Sequence, residues 1–266
     1  MIRSIQALIV ALALALAFAT ISIAAFAAQT KHWAYEDHGD EVGPAKWSTL
    51  PGNEACGTGR RQSPINLAAG VVKAQDLPNL VFGYKPSHLL MTNNGHTVQV
   101  AYDVGSTLGR TGSAALTLAQ FHFHDPSEHT LDGASFPMEA HLVHVDAAGK
   151  PVAVVGVLIK AGGEHAGLAT AFQGLPAHSG QKAEPAGVTV DAATLLPSDK
   201  TFYTYAGSLT TPPCTEGLTW YVFKTPIEMS AAQIGAFTTL EHLGHTNRPV
   251  QSLGGRVVLV DSTPGK

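Results

Sequence analysis

Two histidines spaced two apart, His122 and His124, and a third further along, His141, are the residues of this chain best suited to hold a metal ion. Residues i and i+2 of a β-strand project from one face, so the Gln120–His124 stretch would present both imidazoles side by side. The interval to His141 is long enough for the chain to turn and return as an adjacent antiparallel strand. Three neutral imidazoles converging on one point, with no fourth protein ligand, describe an open zinc site whose last position carries water or hydroxide. Two polar residues sharing a strand face would be a simpler reading in a chain with 13 histidines. Gln120 and Glu139 count against it. Each stands two residues before a proposed ligand, on the same face, where it can accept the outer ring N–H, and a ligating histidine nearly always has such a partner.

Short strands must position these groups. Candidates are residues 80–84, 89–93, 97–102, 115–124, 139–146, 152–160, 202–208, 218–223 and 256–260, most of them rich in Val, Leu, Phe and Tyr and many bounded by Gly, Pro or Asn. Helices are few. Ser230 reads as the N-cap of a helix over 231–240, and a second is predicted over 164–172 with Gly174 just past its end. Residues 185–196 are ambiguous. The pattern predicts a mixed α+β fold, mainly β: a single domain with a large, mostly antiparallel twisted sheet and short peripheral helices.

The first 28 residues read as a secretory signal. Arg3 gives a positive start, an apolar run follows from Ala7 to Ala27, and small residues mark a cleavage site after Ala27 or Ala28. The run is also long enough for an uncleaved anchor, but no basic stop follows closely. Residues 29–266 then form the folded domain, exported to a periplasm-like compartment with no stable membrane anchor after cleavage. A formal net charge of −4 with only 16 Lys+Arg argues against nucleic acid as a partner. The chain has two cysteines, Cys56 and Cys214. In an exported chain an even pair suggests a disulfide over two separate thiols. Such a bridge would close a loop of about 158 residues, a constraint of roughly 4–5 kcal/mol at most.

The motifs QSPINL (62–67), NNGHTVQV (93–100), FHFH with SEH and EAHLVH (121–144), GSLTTPPC (207–214) and NRPVQ (247–251) together resemble the α-class carbonic anhydrases, in the bacterial exported form. The resemblance runs from about His32 to about Val260. It implies a single domain with zinc at the bottom of a cone, held by His122, His124 and His141. The reaction implied is reversible hydration of carbon dioxide to bicarbonate and a proton, by attack of zinc-bound hydroxide, with a weak esterase side activity. Glu128 alone reads as a surface charge and Thr210 as a turn residue. The resemblance instead makes Thr210 accept the hydroxide proton and pass its own to Glu128, and places Thr211 near bound bicarbonate. Val143, Val154, Leu209, Leu218 and Trp220 would form an apolar wall for carbon dioxide. Only Val143 is also supported by register with His141. His96 falls where the family keeps an exposed proton shuttle with a pKa near 6.5. Tyr35, Asn94 and Gln99 would hold the waters that link His96 to the metal. The resemblance also supports pairing Cys56 with Cys214.

The remaining histidines, among them His32, His129 and His144, read as solvent or structural residues. His144 has the wrong strand parity to join His141. Where many relatives have Trp-Gly after the second ligand, this chain has Asp125-Pro126, and Asn247 replaces an often aromatic neighbour of Arg248. No ligand is missing. Two other readings share these residues: a zinc hydrolase acting mainly on esters, and a non-catalytic binding module on the same fold. The sequence is compatible with a homodimer.

Overall fold

A computed structural model describes residues 31–110, 113–240 and 243–263. The expected signal segment lies outside the described residues. Among these residues, a 13-stranded sheet dominates. In chain order its strands are β1 (Val72–Gln75), β2 (Leu80–Gly83), β3 (Leu90–Asn93), β4 (Val98–Ala101), β5 (Thr107–Arg110), β6 (Leu116–His124), β7 (Met138–Val145), β8 (Pro151–Ala161), β9 (Lys182–Ala183), β10 (Phe202–Ser208), β11 (Glu216–Phe223), β12 (Ile227–Met229) and β13 (Val258–Asp261). The order across the sheet is β9-β3-β4-β6-β7-β8-β11-β10-β13-β1; β12 also pairs with β8, and β5 bridges β6 and β2.

The sheet is more mixed than the sequence pattern predicts. The pairs β8/β11, β8/β12 and β13/β1 are parallel. The reason is connectivity. A long crossover after β8 brings the chain to β10, and the antiparallel β10–β11 pair then lays β11 beside β8 in the same direction.

Both faces of the central strands are covered, so their sequences are nearly continuous hydrophobic runs. On β6 the odd residues Phe121 and Phe123 enter the larger core and pack edge-on against each other, with Phe123 also meeting Phe172 and Phe237 from the helical side. The even residues Gln120, His122 and His124 take the other face. A register shift between Leu118 and Gln120 bulges the strand at Ala119. The extra residue reverses the parity, so Leu118 also enters the larger core. A smaller core on the opposite side gathers Val143, Val154, Leu158, Leu218, Trp220 and Val222.

The helix predicted over 231–240 spans Ala231–Thr238 and has a full capping box: Ser230 Oγ accepts from Gln233 N at 3.2 Å, and Gln233 Oε1 accepts from Ser230 N at 3.1 Å. The helix predicted over 164–172 is shorter, a 3-10 turn at Ala166–Leu168 followed by an α-helix at Ala169–Gln173. Gln233 holds both the N–H and the carbonyl of His165, which keeps the preceding segment out of the helix. The ambiguous stretch resolves into a strand at Thr189–Val190 and a 3-10 turn at Ala192–Leu195 capped by Asp191.

A third cluster fastens the N-terminal segment. Trp47 is fully buried and donates to the carbonyls of Ala34 and Val42. Around it lie Trp33, Tyr35 and the Cys56–Cys214 disulfide, whose Cα atoms are 5.0 Å apart. The bridge expected from the sequence therefore joins this segment to the 209–215 loop.

His144 points away from the other histidines, as its parity requires. It is buried, its Nε2 lies 2.8 Å from Tyr84 Oη, and its Nδ1 has no partner of good hydrogen-bond geometry among the described residues. Burial, only partly opposed by the pull of the Leu142 main chain, lowers its pKa to about 3. The ordinary value is 6.5, so above that pH neither the folded nor the unfolded state is charged at this group. Below it the unfolded chain binds the proton and the folded one does not, so stability falls between pH 6.5 and about 3. At pH 5 the loss is about 2 kcal/mol. His144→Gln keeps a partner for Tyr84 and cannot charge. Its acid-unfolding midpoint, followed by circular dichroism, should move to lower pH; an unmoved midpoint would exclude His144 as a source of acid lability.

Candidate metal centre

His122 and His141 are direct cross-strand partners on β6 and β7, and His122 faces Gln99 on β4. His124 follows one step along the same face. The ring centroids lie 5.1 Å apart for His122 and His124, 5.4 Å for His122 and His141, and 4.6 Å for His124 and His141. One nitrogen from each ring falls within 4.8 Å of the others.

The second nitrogens are already engaged. His122 Nδ1 donates to Gln120 Oε1 at 2.8 Å, His124 Nδ1 to the Thr246 carbonyl at 2.6 Å, and His141 Nε2 to Glu139 Oε1 at 2.9 Å. These bonds fix the tautomers. They leave His122 Nε2, His124 Nε2 and His141 Nδ1 as the lone pairs of the cluster. His124 Nε2 is buried with no hydrogen-bond partner, a state a bound cation would remove. Burial lowers the pKa of all three rings: His124 and His141 add to it at His122, whereas at His124 the Thr246 carbonyl and at His141 the Glu139 carboxylate oppose it without cancelling it, and His124 is held at about 4. The imidazoles are thus neutral and able to ligate. Three nitrogen donors with room for a fourth ligand fit zinc. His129, Glu139 and His141 also lie within 4.8 Å. Hydrogen bonds account for that group, because His129 Nδ1 and His141 Nε2 both donate to Glu139 Oε1.

Glu139 is the hub beneath the ligands. Its other oxygen, Oε2, accepts the backbone N–H groups of Glu128 at 3.0 Å and His129 at 2.8 Å. Burial pushes its pKa up, but the two histidines more than offset this and hold it well below the usual carboxylate range. Room for the carboxylate comes from Gly156 on β8, where a Cβ would stand 2.9 Å from Glu139 Oε1.

Glu128 lies 3.7 Å from His124 and 3.8 Å from His141. Its Oε1 accepts the Arg248 N–H at 2.8 Å. Burial raises its pKa to about 7; His141, Thr210 and the Arg248 N–H pull the other way. The Thr210 hydroxyl is near enough to exert that pull, although Oε2 has no partner of good hydrogen-bond geometry among the described residues. Arg248 is itself buried, held by Gln62 Oε1 and the carbonyls of Ser63 and Cys56.

A cavity of about 120 Å3 opens beside His122 and His124, lined in part by Tyr35, Asn94, His96, Gln99 and Thr211. The polar residues expected from the sequence therefore meet on one side of the cluster. Tyr35 Oη is buried and unpartnered, and Asn94 Oδ1 is used locally to accept the N–H groups of His96 and Thr97. The apolar residues meet on another side. Trp220 stands edge-on to His141 at 4.8 Å and packs with Val143, Val154 and Leu218, with Leu209 half-buried at the margin. Val154, Leu218 and Trp220 are almost wholly core; Val143, at 7 % exposure, comes nearer the surface.

His96 differs from its expectation as an exposed group titrating near 6.5. It is stacked on Trp33, with centroids 3.6 Å apart and planes 15° from parallel, and its Nε2 lies 3.2 Å from His32 Nε2. Burial, with His32 adding to it, lowers its pKa to about 4. His32, read from the sequence as a bland residue, is therefore part of the site's rim. The Thr246 carbonyl and the Arg248 N–H were also not foreseen as partners, since main-chain atoms carry no residue signature. His129, expected to be structural, is buried and bonded to both Glu139 and Tyr205.

Comparison with known proteins agrees with this geometry. The eukaryotic-type carbonic anhydrase family matches residues 42–262. A carbonic anhydrase of Pectobacterium carotovorum is 40% identical over 241 residues, covering 90% of this chain and 95% of its own. One from Neisseria gonorrhoeae is 41% identical over 247 residues, covering 92% and 94%. The solved α-carbonic anhydrase of Thermovibrio ammonificans, a complex with sulfanilamide, superposes with a TM-score of 0.80 at 39% identity, covering 86% of this chain and 99% of that one. Fold, site and relatives define an enzyme of the lyase class. The chain belongs to the eukaryotic-type, or α, carbonic anhydrase family, whose members act on carbon dioxide and bicarbonate.

The Gln120 bond to His122 supplies a direct check on the centre. Gln120→Ala should lower zinc affinity about tenfold or more in a chelator competition, with the far-ultraviolet circular dichroism unchanged. Undiminished affinity would mean that the outer hydrogen bond does not orient a ligand.

Proposed function

We propose that this chain catalyses the reversible hydration of carbon dioxide with one zinc ion held by His122 Nε2, His124 Nε2 and His141 Nδ1. The observation that carries this reading is that the three outer nitrogens are each bonded to an oxygen while the three inner ones have no hydrogen bond among the described residues. When bound there, zinc would act as a Lewis acid that makes water nucleophilic at neutral pH.

The chain's own residues do the rest. Arg248 N–H fixes Glu128, and Glu128 in turn accepts a hydrogen bond from the Thr210 hydroxyl. Thr210 Oγ is then left to accept from the attacking water, which aims that water's lone pair at the substrate. Val143 and Leu209 give the apolar substrate a surface without hydrogen-bonding groups, backed by the Trp220 core. Thr211 offers its N–H and hydroxyl to bicarbonate. His96 moves the proton outward along water held by Tyr35, Asn94 and Gln99. Stacked on Trp33 its pKa is about 4, which makes it a weak proton acceptor at neutral pH in that position. The same hydroxyl chemistry extends weakly to small esters.

We assign residues 1–28 to a cleaved export signal and residues 29–266 to the catalytic domain, acting in the periplasm. The Cys56–Cys214 bridge favours an oxidising compartment, and no described helix is long and apolar enough to cross a membrane. Sequencing the N-terminus of exported protein should give Gln29 or Ala28 as its first residue. An intact Met1 in that material would remove the assignment.

Stopped-flow hydration of carbon dioxide should fall to background when zinc is chelated and return when zinc is restored. His122→Ala should lower activity at least about a hundredfold. A folded, zinc-loaded protein without hydration activity would overturn the proposed reaction. For the proton path, Trp33→Ala should raise the His96 pKa from about 4 toward its ordinary value, read by proton NMR titration of its ring. A pKa that stays near 4 would show that the Trp33 stack is not what lowers it.

A further inference from the structure

Away from the metal centre, a cleft of about 440 Å3 opens between the Gly254–Gly255 turn and the segment entering QSPINL. Arg60, Arg61 and Arg256 line it, with Ala206 between them. This concentration of cations is unusual in a chain of net charge −4. Among the described residues no arginine forms an ion pair with a carboxylate. Glu216, beside the cleft, spends its Oε1 on the Arg61 main-chain N–H at 2.6 Å and Gln62 Nε2 at 3.0 Å.

Arg256 is pre-positioned. Its Nε donates to the Leu253 carbonyl at 2.8 Å, Nη1 to Ala206 at 3.0 Å and Nη2 to Ser252 at 2.7 Å, and the guanidinium lies 5.4 Å over the Tyr205 ring. Three neutral carbonyls orient the group, and no carboxylate among the described residues forms a direct ion pair with it. Two of its five N–H donors remain for a ligand. Its pKa is lowered, first by burial and further by repulsion from Arg61, with Tyr205 and Glu216 acting against this. The two glycines, at φ 61° and 75°, put no side chain into the space, and a Cβ at Gly255 would meet nothing within 4 Å.

We propose that this cleft binds a small inorganic oxyanion of the phosphate or bicarbonate kind, clamped by the guanidinium groups of Arg60, Arg61 and Arg256. A planar guanidinium matches oxyanion geometry, and the one held in place, Arg256, loses little freedom on binding. The site is separate from the cavity beside His122, and it holds whether or not the chain hydrates carbon dioxide. It also stands at the outer end of a buried chain: Arg256 covers Tyr205, Tyr205 bonds His129, and His129 bonds the carboxylate that orients His141.

The test is a two-dimensional NMR titration of the zinc-loaded, disulfide-bonded protein with inorganic phosphate at constant ionic strength, followed at the Gly254 and Gly255 amides. These resonances report this cleft and not anion binding at the metal. Saturable shifts are expected, with the double variant Arg60→Gln, Arg61→Gln binding about tenfold more weakly or worse. Both side chains are exposed, so the variant should fold. Shifts that stay linear in phosphate, or equal affinity in parent and variant, would overturn the proposal. A parallel bicarbonate titration separates the sources: tighter phosphate binding assigns the cleft to a dianion, and tighter bicarbonate binding assigns it to the product of the proposed reaction.

Discussion

A single buried carboxylate, Glu139, fixes most of what surrounds the metal centre. It has no exposed surface and accepts four hydrogen bonds, from the main chain of Glu128 and His129 and from the rings of His129 and His141. An unpaired charge in such a place would be destabilising by several kcal/mol, so each donor is required. Its acceptors tie β7 to the 127–130 turn, and Gly156 on β8 makes the space. The sheet, the turn and the ligand His141 are therefore positioned by one group rather than by independent contacts.

Glu128 shows how the same burial yields the opposite result. Both carboxylates are shielded from water, yet Glu139 stays well below the usual range while Glu128 rises to about 7. The difference lies in the donors. Glu139 has four; Glu128 has the Arg248 N–H and the pull of Thr210. One group is a structural anion, and the other is poised near neutrality beside the cluster. Such divergence between neighbouring acids is how a site divides its tasks. Arg248, wrapped by Gln62, Ser63 and Cys56, carries this arrangement back to the N-terminal segment.

Much of the centre was legible because it follows strand periodicity. His122 and His124 share a face by parity, Gln120 and Glu139 precede their ligands by one period, and His144 is excluded by the same rule. The nine strand segments expected each overlap an observed strand, with ends that agree to within two residues. What escaped was set by tertiary contact. The Ala119 bulge changes which face Leu118 takes, and the chain offers no glycine there to mark it. The parallel pairs arise from a long crossover whose destination no local pattern encodes. His96 looked like a solvent histidine because its neighbours are turn residues; Trp33, far away in sequence, stacks on one face and half-buries it. The partners of His124 and Glu128 are a carbonyl and an amide, which every residue possesses.

The covalent ring closed by Cys56 and Cys214 contains all three metal-ligand candidates, both buried carboxylates, Thr210 and His96. Exposed turns such as those at Asp146–Lys150 and His178–Gln181 lie inside it, and turns of this kind are where proteases cut first. A single nick in either would open the ring yet leave both fragments bonded through sulfur and knitted by the sheet. One cleavage there need not end the working life of the molecule.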